Sequence, residues 1–567
     1  MTALKNLFLA AVALSALGFL MTPRLGAQDK KPEPKAEDKK TESAESLTVT
    51  APMRYEGLIF VDAMVNGKGP YNFLFDSGAS MTMLSNRLCT ELDIKKSDEP
   101  MPVGGVGTQD VRAAIASTIT VAGFTRKDCA CGVTSFDHIS GELGKHMMGI
   151  VGQNMIKFMK RIELDFAAST MTVTRFADGE GPNPEEDMQE NAIRGMARGE
   201  GMPGMPGMPG MPGGRKQPKK EPKKEGEKPK GDDGEKEDGF SVGPMGKMQW
   251  FGDDKKTETA PSKPTDAMSF KYRHMELDMG LGKMELAALW FINVEINGQV
   301  REMFFDTGAS TLCVMNLSVA EEMKLATSYS YGVKGLGEGT TSEAMLDSIK
   351  LDTLTVNEPT CSVMDLSAAL SQMEMVKQIA DMLPKRMRPA GLDCAGIIGL
   401  PVATRYKKMT VDCVEKLITL TPYGKDEVNE INPVEQEGQQ RDAVIRTWQG
   451  QAAKCEFDGE SVQLDEWEKL GLKEGGMRVT SVSGEAEKAG LKVGDIITAV
   501  VGEPNEKGEK QDMPVRGSSS LVVWACLQDV GSKHTFRIKR GDKVFSLEIT
   551  LVDYGWKGEA PEKYRRK

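Results

Sequence analysis

Two five-residue segments hold side chains that could do chemistry together: Asp76-Ser77-Gly78-Ala79-Ser80 and Asp306-Thr307-Gly308-Ala309-Ser310. Each supplies one carboxylate on a tight, small-residue turn. Two carboxylates held within about 3 Å cannot both stay ionised, so the pair keeps one proton, with one pKa raised and the other lowered. The ionised member can then take a proton from a water molecule while the neutral member donates a hydrogen bond to an amide carbonyl. Such a pair needs no nucleophilic side chain. A single Asp-Ser/Thr-Gly is an ordinary turn signal and arises by chance about once in two thousand positions at average residue usage. Two copies with the same Ala-Ser continuation imply a repeated unit.

The elements that must position these turns repeat in the same order. Leu58-Ile59-Phe60 opens a strand, Asn66-Gly67 marks a hairpin turn, and Phe73-Leu74-Phe75 runs into Asp76. In the second copy Trp290-Phe291-Ile292, Asn297-Gly298 and Met303-Phe304-Phe305 run into Asp306. Asn-Gly between apolar runs is a strong short-range hairpin signal. Downstream, Gly104, Gly105 and Gly107 correspond to Gly335 and Gly337, and Gly149-Ile150-Val151-Gly152 corresponds to Gly396-Ile397-Ile398-Gly399. Each copy ends in a charged-then-apolar strand, Arg161 to Phe166 and Met409 to Asp412. The second copy carries an extra stretch, Leu366 to Leu383, whose apolar spacing predicts an amphipathic helix.

These residues resemble the retropepsin-like aspartic peptidases: an apolar run into Asp-Ser/Thr-Gly-Ala-Ser, a Gly-rich flap, then two apolar residues before a glycine. The resemblance implies two β-barrel lobes, each donating one catalytic aspartate, Asp76 and Asp306. It implies that Ser77 and Thr307 brace the two loops across the lobe interface. Gly78 and Gly308 allow tight turns and close approach. Gly104, Gly105, Gly107, Gly335 and Gly337 are expected at flap tips that close over a substrate strand. Gly152 and Gly399 are the glycines of the apolar-apolar-Gly elements. Ala79 and Ala309 imply a less acidic optimum than that of pepsin-like relatives. The expected partner is a polypeptide substrate, with no metal or organic cofactor.

The last globular segment resembles a bacterial PDZ domain, through Gly476 to Val482 and Ala489-Gly490-Leu491-Lys492-Val493-Gly494-Asp495. The resemblance implies binding of a peptide C-terminus by strand addition. Leu470, Gly471 and Leu472 are then expected to hold the carboxylate, and Leu521, Val522 and Ala525 to line the groove. The strand after that loop is very short for such a groove.

The expected organisation is a signal peptide over 1–27, a charged disordered segment over 28–47, and a first lobe over 48–176. A flexible Gly/Pro/Lys/Glu linker over 177–269, with four Gly-Met-Pro triplets, leads to a second lobe over 270–424. A PDZ-like α+β domain spans 443–554 and a charged tail 555–567. The fold class is mainly β. Lys5, the apolar run Leu7 to Leu20 and Leu25-Gly26-Ala27 read as an export signal too short to span a bilayer. The expected location is periplasmic or secreted, with an N-terminal anchor if the signal is retained and no other span. A linker of about 90 residues reaches roughly 50–60 Å. It exceeds the roughly 14 Å radius of gyration of a lobe, so pairing within one chain, as a monomer, is favoured. The net charge of −11 argues against general nucleic-acid binding. Four scattered histidines give no zinc spacing and no Ser-His-Asp pattern, and nine cysteines are too few for a disulfide scaffold. Cys129 and Cys131, two apart in a strand, share a face, and export would permit some oxidation. Two other readings stay open: an inactive peptide-binding scaffold using lobes and PDZ-like domain, and an obligate oligomer whose lobes pair between chains.

Overall fold

The computed structural model describes residues 47–105, 107–143, 145–178, 180–183, 187–198, 264–278, 283–334, 338–366, 392–502 and 512–565. The expected export signal, the bulk of the linker and most of the extra helical stretch of the second copy lie outside these residues.

Both copies are built the same way from the turn outward. Asn66 and Gly67 have φ of 51° and 75°, and Asn297 and Gly298 have 49° and 77°. A two-residue turn with both φ positive matches the twist of its flanking strands, and Asn-Gly adopts it at little cost. Strand Ile59–Val65 is thereby folded back on Lys68–Phe75, and Lys283–Ile296 on Gln299–Asp306. The aspartate-bearing strand of each lobe then pairs in parallel with the apolar-apolar-Gly strand. Phe75 faces Val151 in the first lobe, and Asp306 faces Gly399 in the second. The strand after each catalytic turn, Met83–Ser85 or Cys313–Asn316, lies antiparallel on the other side of that same element. The catalytic turn is therefore enclosed between crossing strands. Phe73, Phe75, Met303 and Phe305 anchor it from the core side with essentially no exposure.

The lobes meet through the charged-then-apolar strands. Lys408–Asp412 of the second lobe pairs antiparallel with Met159–Asp165 of the first, Met409 facing Leu164 and Val411 facing Ile162. Thr170–Arg175 and Thr48–Tyr55 extend this sheet on one side, Leu417–Thr421 and Met268–Lys271 on the other. Ile162, Leu164, Met409, Val411, Ile418 and Leu420 are all buried, in an apolar core that runs without a break through both lobes. Burying one such side chain contributes about 1.5–3 kcal/mol. Lys408 caps the seam on the polar face, 2.9 Å from Glu163 and 3.0 Å from Asp165.

Two elements depart from the expected boundaries. Met188–Ala197, inside the stretch expected to be linker, is a helix docked on the first lobe. Asp187 caps it, accepting from Glu190 N at 3.2 Å. Glu190 makes a fully buried ion pair with Arg126 at 2.7 Å and accepts from Ala130 N at 3.3 Å. Gly/Pro-rich composition nearby hid this helix, whose partners lie 64 residues upstream. Likewise Pro433–Trp448 is a helix that begins before residue 443, the expected start of the last domain, and ties that domain to the second lobe.

The C-terminal unit is a separate sheet in the order Phe457–Ser461, Met477–Val482, Ile496–Val500, Lys533–Arg540, Lys543–Thr550, covered by the helix Ser518–Cys526. Asp495 of the Gly-Asp motif is buried. It accepts from Lys492 N at 2.9 Å and receives Arg540 on both oxygens, at 2.6 and 2.7 Å. That motif is therefore a structural clasp. No helix among the described residues is long and apolar enough to cross a membrane.

Candidate active site

The two catalytic turns face each other at the lobe interface. Ser77 and Thr307 are fully buried and hold them reciprocally. Ser77 N donates to Thr307 Oγ1 at 2.9 Å and Thr307 N donates to Ser77 Oγ at 3.0 Å. Each hydroxyl then donates to a carbonyl of the opposite lobe, Ser77 Oγ to Phe305 O at 3.1 Å and Thr307 Oγ1 to Phe75 O at 3.0 Å. All four bonds cross between lobes. A hydroxyl is required at both positions because it must accept and donate at once.

The glycines set how closely the carboxyl groups approach. A Cβ on Gly78 would lie 2.5 Å from Asp306 Cγ, and one on Gly308 would lie 2.5 Å from Asp76 Cγ. Each aspartate thus rests against the opposite lobe's glycine, at a spacing no side chain permits. Gly152 and Gly399 are needed for a related reason: a Cβ there would strike the Met81 and Thr311 carbonyls of the catalytic turns. Gln153 Nε2 adds a tether to Ser77 O at 2.8 Å, and Asn154 Oδ1 accepts from Thr82 N at 2.7 Å. The tethers from Gln153 and Asn154 become legible only once the strands cross.

The carboxyl groups share donors. Gly78 N lies 2.8 Å from Asp76 Oδ1 and 3.1 Å from Asp306 Oδ1. Ala79 N adds a bond to Asp76 Oδ1 at 3.1 Å, and Gly308 N one to Asp306 Oδ1 at 2.7 Å. The two side chains also hydrogen-bond each other, deep between the lobes but still reached by solvent along the cleft. Burial raises both pKa values from the ordinary aspartate value, where the sequence pattern predicts one raised and one lowered. Asp306 goes up further, because the Asp76 charge beside it opposes a second negative charge. Asp76 is held back by its hydrogen bonds from Asp306, Gly78 and Ala79. The pair therefore holds a proton more tightly than a lone exposed carboxylate does.

The first flap is a long hairpin, Lys96–Gly105 with Gly107–Val121, in which Gly104 faces Thr108 and Gly105 faces Gly107. In the second lobe Thr327–Lys334 pairs with Glu338–Met345, ending at the Lys334–Glu338 pair. Gly335 and Gly337 lie outside the described residues. The two hairpins come into contact, Gly107–Val121 against Glu338–Met345. Among the described residues no cluster of His, Cys, Asp or Glu is arranged to hold a metal ion.

The residues expected to form a terminal-peptide groove are engaged elsewhere. Both edges of Met477–Val482 are paired, with Phe457–Ser461 along one and Ile496–Val500 along the other. Phe457, on the outermost strand of the sheet, packs in the same core as Leu521 and Ala525. Val522 turns the other way, against the second lobe. The expected carboxylate loop is a helix end: Gly471, at φ 62°, donates to Glu468 O at 3.1 Å, and Leu472 N donates to Trp467 O at 2.8 Å. The donors at Gly471 and Leu472 are therefore spent.

Fold and site together define a paired-lobe, twin-aspartate arrangement. Comparison with known proteins agrees: residues 61–155 and 292–402 each match the family model described as aspartyl protease. No curated protein matches the chain. Among solved structures, a retropepsin-like aspartic protease from Rickettsia conorii covers 27% of this chain and 90% of its own, at 12% identity and a TM-score of 0.16. That overall likeness is too slight to carry weight, and the two family matches together with the site geometry stand without it.

Proposed function

We propose that this chain is an aspartic endopeptidase that hydrolyses polypeptides with a water molecule activated between Asp76 and Asp306. The observation that carries this reading is the pair of carboxyl groups, one from each lobe, bridged by the Gly78 N–H and in hydrogen-bond contact with each other. A water in the cleft gives a proton to ionised Asp76 and attacks the peptide carbonyl carbon, while protonated Asp306 donates to the carbonyl oxygen. The resulting tetrahedral diol collapses as Asp76 passes its proton to the amide nitrogen and a diol hydroxyl returns a proton to Asp306. The C–N bond breaks, leaving a carboxyl and an amino terminus with both aspartates ready for another cycle. No covalent intermediate on the enzyme is formed. The flap hairpins supply the roof that excludes bulk water and grips an extended substrate.

The pairing of both lobes through one sheet supports a monomeric working unit. The N-terminal apolar run supports export to the periplasm or beyond. The C-terminal unit, PDZ-like in its motifs, serves in this reading as an intramolecular domain packed on the second lobe.

The test is cleavage of an extended-peptide library by wild type, Asp76→Asn and Asp306→Asn, with folding checked by thermal unfolding. Loss of the acid–base pair removes at least about a thousandfold in rate. Equal cleavage by all three proteins, or none by a correctly folded wild type, defeats the proposal.

A further inference from the structure

The C-terminal unit grips the second lobe at the base of its flap hairpin, and Lys563 adds ion pairs to Asp347 and Glu358. Two indoles from opposite ends of the unit converge on a single carbonyl: Trp448 Nε1 and Trp556 Nε1 each donate to Thr327 O, both at 3.2 Å. Thr327 is the first residue of the flap strand Thr327–Lys334. Three residues on, Ser330 N donates to Tyr554 Oη at 3.0 Å. Beneath these bonds Tyr329 and Met345, one from each flap strand, are buried against Ala443, Val444, Trp448 and Val523. A polar core continues the contact inward. Tyr331 Oη and Ser362 Oγ both donate to buried Glu343 Oε1, at 2.7 and 2.6 Å, joining the two flap strands to the strand behind them.

From this we infer that the C-terminal unit is a brace for the second flap, and that Trp448 and Trp556 are positioning residues that set how the hairpin lies over the substrate. The helix Ser518–Cys526 links the two sides of this brace, sending Val523 and Cys526 into the flap interface while Leu521 and Ala525 pack in the unit's own core. The consequence for chemistry rests on the endopeptidase proposal, because a loosened roof weakens the grip on an extended substrate before it alters the aspartates.

The experiment compares the full-length protein with Trp448→Phe/Trp556→Phe, which removes the two N–H donors and part of each ring, and with Tyr554→Phe, which removes only a hydroxyl. The first readout is amide hydrogen exchange, resolved between residues 327–345 and 96–121. The expected result for the double variant is about tenfold faster exchange over 327–345, the equivalent of about 1.4 kcal/mol, with 96–121 and the global unfolding midpoint little changed. The second readout is KM and kcat on an extended peptide: KM is expected to rise several-fold with kcat nearly constant. Unchanged exchange over 327–345 in folded variants overturns the brace, and so does a loosened hairpin with unchanged KM. If wild type cleaves nothing, the endopeptidase reading fails, while the exchange data still decide the brace by themselves.

Discussion

At the scale of single residues the site depends on hydroxyls and glycines as much as on carboxylates. Thr307→Val keeps the shape but removes an acceptor for Ser77 N and a donor to Phe75 O, leaving buried backbone groups unpaired. Unfolding in urea should show a loss of about 2–4 kcal/mol, with activity falling alongside. Asp306 yields a prediction of opposite sign for stability. Its folded pKa is raised, so the folded state binds that proton more tightly than the unfolded chain. The contribution is complete below the ordinary carboxylate pKa near 3.8 and is lost as pH rises through the raised folded value. Asp306→Asn should therefore unfold less readily than wild type near neutral pH, by about 1 kcal/mol or more, and show a shallower dependence of stability on pH. An unchanged pH slope would mean that the Asp306 carboxyl is not desolvated. These residues were legible in the sequence because small residues beside an aspartate, repeated after matching apolar runs, mark two equivalent turns built for close approach. How tightly the pair holds its proton was not, since that follows from how deeply the assembled lobes bury both carboxyl groups.

Secondary elements tell a mixed story. The two Asn-Gly hairpins and the apolar-apolar-Gly strands could be placed from local pattern alone, because turn chemistry and β-branched runs are short-range signals. The helix Met188–Ala197 could not, because its stability is tertiary: Glu190 is an unremarkable polar residue until Arg126 closes over it. Replacing it, as Glu190→Leu, leaves the Arg126 guanidinium buried beside Phe158, 3.9 Å from the ring centroid, with no carboxylate partner. A cost of about 3–5 kcal/mol is expected in chemical unfolding, together with faster exchange at the base of the first flap, on which the helix packs. The Gly471 loop matches a carboxylate-binding pattern in sequence, but its N–H groups close the end of the preceding helix, a use that only the folded backbone reveals.

Across the whole molecule, the lobes are joined by a continuous sheet and core, so the covalent linker is needed for assembly more than for cohesion. A protease site inserted at Gly213-Gly214 and cut after folding should leave two fragments that co-elute and keep their activity. Separation of the fragments under native conditions would contradict the inter-lobe sheet. The central claim is that one chain brings both aspartates to a single water molecule. Its most direct test is peptide cleavage, followed from about pH 3 to about pH 8, by wild type, by Asp76→Asn, by Asp306→Asn and by an equimolar mixture of the two variants. The account predicts a bell-shaped profile for wild type and no cleavage by either variant or by their mixture. Wild-type turnover in either single variant, or recovery of activity on mixing, would contradict it.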